Sequence, residues 1–432
     1  MKLSALLLAP IAALMLLGGC VSDGLKGDNL NEIASDYVQM QLEVGEREEG
    51  YIDAYYGPPE WQEAAKAAPR SIADLAQAAS ELTRRTSAVD PAGLDPLERR
   101  RRDFLLAQLR AASTRLRMMQ GEKLSFADEA EGLFGVRPEL KPLASYDPVL
   151  ARLETLVPGT GTLADRMDAF QDRFTIPKDR LKPVFDAAIA ECKRRTLAHI
   201  AMPANEAFTL EFVTGKSWSG YNWYKGNARS LIQVNTDLPI RIGRAVDLGC
   251  HEGYPGHHVF NALLETKLAR GRGWVEYTVY PLYSPQSFIA EGSANYGIDL
   301  AFPGEERLAY ETAALYPLAG LNPADAPAYE ALQHAMRDLA GARFTIAREY
   351  LEGRMDKEGA IAAIQKYQLV SRARAEQSLA FTEQYRSYVI NYGLGQDMVR
   401  AYVEGAGPSQ AARWAAMEKI LSEPTLPKEL KR

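Results

Sequence analysis

The sequence has few of the side chains that bind metals or form cross-links, with only five histidines and three cysteines among 432 residues. The scarcity of cysteine excludes a small disulfide-rich scaffold. Positive charge is not in excess either: 50 basic residues face 56 acidic ones, for a formal net charge of −6, so no nucleic-acid partner is expected. Low-complexity tracts and internal repeats are also lacking. What remains is an ordinary globular composition, 47% hydrophobic, in a chain long enough to bury a substantial core.

The chain also lacks an apolar run long enough for a membrane span, and the longest run, over residues 6–17, lies at the N-terminus. It follows Lys2 and ends at the leucine of Leu-Gly-Gly-Cys (residues 17–20), which is typical of a signal peptide over residues 1–19. The Leu-Gly-Gly-Cys segment resembles a bacterial lipobox, which implies lipidation of Cys20 and a tether over residues 20–31. An ordinary signal peptide that ends near a cysteine is the alternative. We therefore expect an exported protein anchored to a membrane through the lipid on Cys20. Val21, rather than an aspartate, after Cys20 favours the outer membrane, facing the periplasm.

Cys192 and Cys250 are the cysteines that remain in the mature chain. We interpret them as buried thiols, with a disulfide as the alternative that an oxidising compartment would permit. A nucleophilic pair of Cys250 and His251 is disfavoured, because adjacent side chains on a helix point in different directions.

Apolar residues recur at helical spacing along most of the chain. This pattern predicts helices over residues 71–86, 95–119, 147–156, 161–174, 178–200, from 239 towards 251, 337–353, 357–365 and 371–387. Short β-rich runs over residues 208–213 and 230–234 predict strands. The fold class is therefore mainly α with a small β-sheet. A change of pattern near Pro203 divides an N-terminal helical region, 32–203, from a catalytic region, 204–432, and we expect the two to pack together.

Three of the five histidines lie in residues 251–258, which read His-Glu-Gly-Tyr-Pro-Gly-His-His. Such a cluster is typical of a metal site, and the first two residues match the start of the helical His-Glu-x-x-His pattern of zinc peptidases. The fourth residue after His251 is Pro255, which cannot bind a metal and interrupts a helix. A distorted helix would bring His257 back to the metal, whereas an undistorted one would favour His258. Spacing alone leaves both possibilities open.

The same segment resembles the motif His-Glu-x-x-Pro-Gly-His-His of the bacterial domain-of-unknown-function 885 family. Residues 291–296 match a second element of that family, Glu-Gly-x-Ala-x-Tyr, and residues 394–396 match a Pro-Gly-Gln element in part. The resemblance covers roughly residues 203–403. It implies a large helical, zincin-like metallopeptidase fold with a small sheet beside the metal helix, related in architecture to helical carboxypeptidases.

For individual residues, the resemblance implies that Zn2+ is bound by His251, His257 and Glu291. A His₂Glu set is one that catalytic zinc sites use, leaving a position for water. Asn295 and Asp299 follow Glu291 by one and two helical turns, so both are candidates to orient a ligand imidazole.

The expected activity is hydrolysis of peptide bonds by a zinc-activated water with Glu252 as general base. Tyr388, Tyr392 and His258 are candidates to stabilise the oxyanion of the transition state. Residues 230–235 are predicted to form an edge strand that binds an extended peptide, and the aromatic stretch 218–224 could line the cleft. Three alternatives stay open: a zinc amidase or esterase with a non-protein or cell-wall substrate, a surface lipoprotein without catalysis, and a hydrolase that uses Cys250.

Overall fold

The computed structural model describes residues 29–431, so the predicted signal peptide and the lipidated Cys20 lie outside the described part of the chain. Within that part, no helix combines the length and the apolar character needed to cross a membrane. The first helix begins at Leu30, inside the predicted tether. The predicted fold class, mainly α with small sheets, is confirmed.

Helices make up most of the described chain. They are α1 (Leu30–Gly45), α2 (Pro59–Ala67), α3 (Ile72–Ala88), α4 (Pro96–Met119), α5 (Phe126–Phe134), α6 (Asp147–Leu156), α7 (Leu163–Asp172), α8 (Leu181–Leu197), α9 (Gly243–Leu248), α10 (His257–Leu264), α11 (Pro285–Ala301), α12 (Glu306–Tyr310), α13 (Tyr316–Ala319), α14 (Ala326–Arg337), α15 (Ala342–Leu351), α16 (Lys357–Gln368), α17 (Arg372–Tyr385), α18 (Ile390–Glu404) and α19 (Gln410–Ser422).

Several helix ends follow from local sequence. Asp95 caps α4: its carboxylate accepts from the backbone N–H of Glu98, and the Glu98 carboxylate accepts from the N–H of Asp95. Ser71 and Ser125 cap α3 and α5 without the reciprocal bond: each hydroxyl accepts from the backbone N–H three residues later. The predicted helix over residues 337–353 is wrong at its start, because α14 ends at Arg337 and a separate helix, α15, begins at Ala342.

Two small sheets accompany the helices. The first pairs β1 (Ile52–Tyr55) with β5 (Val279–Pro281) in antiparallel fashion. The second contains β2 (Ala207–Val213), β3 (Gly220–Tyr224) and β4 (Arg229–Asn235) in the order β2-β4-β3. The predicted edge strand over residues 230–235 is wrong, because β4 is the central strand and pairs on both sides. The edge strands are β2 and β3, and β3 comes from the aromatic stretch 218–224.

One continuous hydrophobic core extends from Leu30 to Leu430 and contains residues from both sides of Pro203. Nearly all of α11 is buried in it, against α18. The two helices approach very closely at Gly292 and Gly395: a Cβ atom on Gly292 would lie 2.5 Å from the carbonyl carbon of Gly395. Glycine at both positions therefore lets α18 pack directly beside the helix that carries Glu291.

A disulfide joins Cys192, on α8, to Cys250, with 5.4 Å between the two Cα atoms. The interpretation of these cysteines as buried thiols is therefore wrong, although both residues are buried as expected. Tertiary packing of α8 against residues 249–253 brings the two cysteines together, and no local sequence pattern predicts this contact. Because its sulfur is bonded, Cys250 cannot serve as a nucleophile, which excludes the cysteine hydrolase.

We predict that replacing both cysteines by alanine lowers the free energy of unfolding by about 2–4 kcal/mol, because the disulfide closes a long loop in the unfolded chain. Urea denaturation measures this difference. Wild type treated with a reductant should lose a similar amount, and the double variant should not respond to the reductant. Equal stability of wild type and double variant would contradict the prediction.

Candidate metal centre

The histidine segment is a helix that turns back on itself. Helix α9 continues into a wider, π-helical turn over Gly249–Gly253, and after residues 254–256 the chain enters α10 at His257. The peptide bond between Tyr254 and Pro255 is cis. The Gly256 N–H donates to the carbonyl of Cys250 at 3.0 Å, and a Cβ on Gly256 would lie 1.7 Å from the carbonyl oxygen of His251. Only glycine fits this contact, which brings the start of α10 against the backbone of His251.

This turn places two imidazoles next to Glu291 of α11. The Nε2 atoms of His251 and His257 are 3.1 Å apart. Glu291 Oε2 lies 3.2 Å from His251 Nε2, and Glu291 Oε1 lies 3.7 Å from His257 Nε2. The structure thus brings together the three residues that the sequence resemblance assigned as ligands.

The spacing and donor set of this cluster fit a zinc ion. Ligand atoms bound to tetrahedral zinc at about 2.0–2.2 Å are about 3.3 Å from one another, close to the separations above. Glu291 is only 5% exposed, and its Oε2 atom has no hydrogen-bond donor among the described residues. A buried carboxylate oxygen without a donor is costly unless a cation or proton satisfies it. A divalent cation among these three side chains would satisfy it.

Asn295 fixes which nitrogen of His251 can bind a metal. The Asn295 amide nitrogen donates to the carbonyl of Tyr392 at 2.9 Å, so the amide oxygen is the atom that faces His251 Nδ1, at 3.1 Å. An oxygen acceptor requires a proton on Nδ1. The lone pair of His251 is then on Nε2, inside the cluster, which is the tautomer that a metal ligand needs.

Two tyrosines border the cluster. The hydroxyl of Tyr388, which is buried, donates to Glu291 Oε1 at 2.7 Å and orients that carboxylate. The ring of Tyr392 lies beside the imidazole of His251, with 6.3 Å between the ring centres and 19° between the planes. Burial raises the pKa of both hydroxyls well above the ordinary value, so both stay protonated and can donate.

His258 and Asp299 lie outside the cluster. His258 is fully buried, and its ring is held at both nitrogens, by Ser230 Oγ at 2.8 Å and Glu206 Oε2 at 3.1 Å. Asp299 accepts from Gln396 and from the guanidinium of Arg400 rather than from an imidazole. His258 therefore connects α10 to the three-stranded sheet.

Negative charge is concentrated around the two imidazoles. Burial raises the pKa of Glu252, and the imidazoles of His251 and His257 oppose that shift. Burial works against protonation of His257, but Glu291 and then Glu252 and Asp53 raise its pKa to about 9. The surrounding carboxylates thus favour a positive charge in the space between the three candidate ligand atoms.

Asp53 is a member of this site that the sequence analysis missed. It lies in β1 where the register with β5 shifts between Ile52 and Ala54, and such a bulge redirects a side chain. Its carboxylate accepts a hydrogen bond from Tyr221 of β3. Burial raises the pKa of Asp53 to about 6, although the bond from Tyr221 and the charge of His257 lower it. No local sequence pattern marks this residue.

The cluster lies between two cavities. A small one of about 60 Å³ is lined by Asp53, His257, Glu291 and neighbouring tyrosines. A large, open one of about 870 Å³ reaches His251 and Asn295. Glu252, 4% exposed, lines both. It can therefore contact a molecule that enters the large cavity and reaches the ligand atoms.

Glu252 is held by strand β3. The side-chain amide of Asn222 donates to the carbonyl oxygen of Glu252 at 2.7 Å. At Gly220, a Cβ would lie 2.8 Å from Glu252 Oε1 and 2.6 Å from a methyl of Leu248. The absence of a side chain at Gly220 leaves room for the Glu252 carboxylate beside the strand.

Comparisons with known proteins add little to this geometry. No family model matches the chain, and no curated protein matches it. Among solved structures, a chain described as a candidate lipoprotein from Colwellia psychrerythraea is similar at 16% identity with a TM-score of 0.47, covering 80% of this chain and 66% of that one. An M32 carboxypeptidase from Deinococcus radiodurans R1 is similar at 13% identity with a TM-score of 0.36, covering 93% and 92%. Likenesses this weak carry no argument about chemistry, and the resemblance to the domain-of-unknown-function 885 family stays a prediction.

We predict that His251→Ala, His257→Ala and Glu291→Gln each reduce bound zinc from one equivalent to well below one, because each removes a ligand atom of the cluster. His258→Ala is the matched control: it removes a neighbouring imidazole and should retain zinc while lowering stability. Metal analysis of protein purified without added metal measures both. Loss of zinc in folded His258→Ala, with zinc retained in His257→Ala, would contradict the assignment.

Proposed function

We propose that the protein is a zinc-dependent hydrolase, most specifically a metallopeptidase that cleaves peptide bonds. The observation that carries this proposal is the cluster of His251, His257 and Glu291 with the buried carboxylate of Glu252 beside it at an open cavity. A binding protein would need the cavity but not an unpaired buried carboxylate next to a metal site. The amidase or esterase alternative uses the same machinery and differs in substrate only.

A zinc ion held by the three ligands supplies Lewis acidity, which makes water a better nucleophile and polarises a carbonyl group. The remaining steps belong to side chains of this chain. Glu252, whose pKa burial raises, accepts the proton of the attacking water and returns it to the leaving amine. Tyr392, whose protonated side chain lines both cavities beside His251, is our candidate to donate to the developing oxyanion. Tyr388 orients the carboxylate of Glu291, to which its hydroxyl donates a hydrogen bond.

Strand β3 supports a peptide as the substrate. It is an edge strand, and its beginning at Gly220 lines the large cavity together with Trp218 and Ser219. An extended peptide can pair with the main chain of such an edge, next to Glu252. Sugars and phosphate esters have no equivalent means of pairing with a strand.

Export and anchoring through a lipid on Cys20 form part of the proposal. The N-terminal sequence supports them, and so does the disulfide between Cys192 and Cys250, because disulfides persist mainly in oxidising compartments. The periplasm is such an oxidising compartment.

We predict that Glu252→Gln retains zinc but lowers kcat for peptide hydrolysis at least about 10²-fold, because a neutral amide cannot accept the proton of the attacking water. The rate is measured on a peptide pool with the mature chain. Glu63→Gln, which changes an exposed carboxylate on α2, is the matched control and should hydrolyse at the wild-type rate. A wild type that binds no metal, or a fully active Glu252→Gln, would refute the proposed chemistry.

A second prediction concerns Gly220→Ala. The added methyl would overlap the Glu252 carboxylate and Leu248, so we expect kcat to fall about tenfold or more while zinc content is unchanged. Gly93→Ala is the control, since a Cβ there meets no atom within 4 Å and should leave both quantities as in wild type. Unchanged kcat in Gly220→Ala would show that the position of Glu252 does not depend on this contact.

A further inference from the structure

One partly buried arginine in the wall of the large cavity has no acidic partner among the described residues. Arg343, on α15, lines that cavity together with His251 and Glu252. Its Nε atom is buried and has no hydrogen-bond partner among the described residues, and no carboxylate of those residues forms an ion pair with it. Its guanidinium contacts aromatic faces instead, 5.2 Å from the ring centre of Phe381 and 5.7 Å from that of Tyr392.

Three other arginines of this wall form ion pairs with neighbouring carboxylates. Arg244 and Arg307 both pair with Asp247, at 3.3 and 2.8 Å. Arg400 pairs with Asp299 at 2.8 Å. These pairs fix the side chains and leave them little capacity to bind another anion.

Arg337, at the end of α14, also lines the cavity, but it is exposed, so water solvates its charge. Arg343 is partly buried, and burial lowers its pKa, while Tyr392 and Glu291 raise it. A guanidinium stays charged even so. The charge of Arg343 is therefore compensated by two aromatic rings and a nearby ligand carboxylate, without a direct ionic partner.

Arg343 is linked to the proposed ligand His251 through one intervening side chain, Tyr392. The ring of Tyr392 lies between the two groups: it packs on the Arg343 guanidinium and beside the imidazole of His251. An anion bound at Arg343 would thus lie in the same cavity as the reacting carbonyl. Planar carboxylates match the donors of a guanidinium in geometry, and such charge-assisted pairs are strong when partly buried.

We propose that Arg343 binds a carboxylate of the substrate, which makes the enzyme selective for peptides that carry a carboxylate next to the scissile bond. This inference rests on the proposed peptidase function. The carboxylate has two possible sources, the free C-terminus of a peptide and the side chain of an acidic residue. The first gives removal of C-terminal residues, and the second gives cleavage beside aspartate or glutamate.

Calorimetry tests the proposal without turnover. The zinc-loaded Glu252→Gln chain is titrated with three short peptides: one with a free C-terminus, its C-terminal amide, and an amidated peptide with an internal glutamate. We expect one carboxylate-bearing peptide to bind about 10- to 100-fold more tightly than the neutral amide, as for hydrogen bonds to a charged group. Which of the two it is identifies the source. Equal binding of all three, or no binding of any, would overturn the proposal.

Variants then assign the preference to a residue. Adding Arg343→Ala should abolish the difference between acid and amide, and Arg343→Lys should retain part of it. Arg348→Ala, on the same helix and paired with Glu349, is the matched control and should keep the full preference. Retention of the preference in a folded Arg343→Ala chain would contradict the role of Arg343.

Kinetics separate this inference from the proposed function. If wild type hydrolyses acid and amide peptides with equal kcat/KM, the carboxylate preference fails and the metallopeptidase stands. If wild type binds zinc and prefers carboxylate peptides but hydrolyses none, the binding role of Arg343 stands and the peptidase function fails.

Discussion

The candidate site depends on the contact between the backbone of Gly256 and the carbonyl of His251. That contact closes the turn between the π-helical segment and α10, and no residue with a Cβ can make it. His257 is in place only because the turn closes. Glu291 comes independently, from a helix whose position is fixed by the close packing of Gly292 on Gly395. Two glycine contacts between backbones therefore determine where three ligand atoms meet.

Much of this arrangement could be predicted from the sequence, and the limits have physical reasons. Apolar periodicity locates most of the helices to within a few residues, and Pro255 predicts a distortion of the histidine segment. Periodicity does not indicate which strand of a sheet is central, so the prediction of β4 as an edge strand is wrong. Asp53 and Arg343 reach the site through tertiary packing, from a bulge and from a helix distant in sequence. Neither carries a signal in its neighbouring residues.

The site combines unbalanced charges of both signs within a wall of aromatic rings. Asp53, Glu252 and Glu291 surround two imidazoles that are neutral when they bind metal, so the centre favours a dication. The nearby Arg343 has the opposite sign, and none of residues 29–431 forms an ion pair with it. Buried charged groups that lack a direct ionic partner destabilise a folded chain, and they persist where a ligand completes them. This pattern supports the proposal that a cation binds on one side and an anionic group of the substrate binds on the other.

The disulfide gives the candidate metal centre a property that the proposed ligands alone would not have. Cys250 immediately precedes His251, so the bond to α8 restrains the backbone of the first ligand permanently. The conformational entropy of that segment is lost once, when the chain oxidises, and not again at each binding event. Loss of the metal would therefore leave His251 in its binding geometry, and a new ion would meet a preformed site.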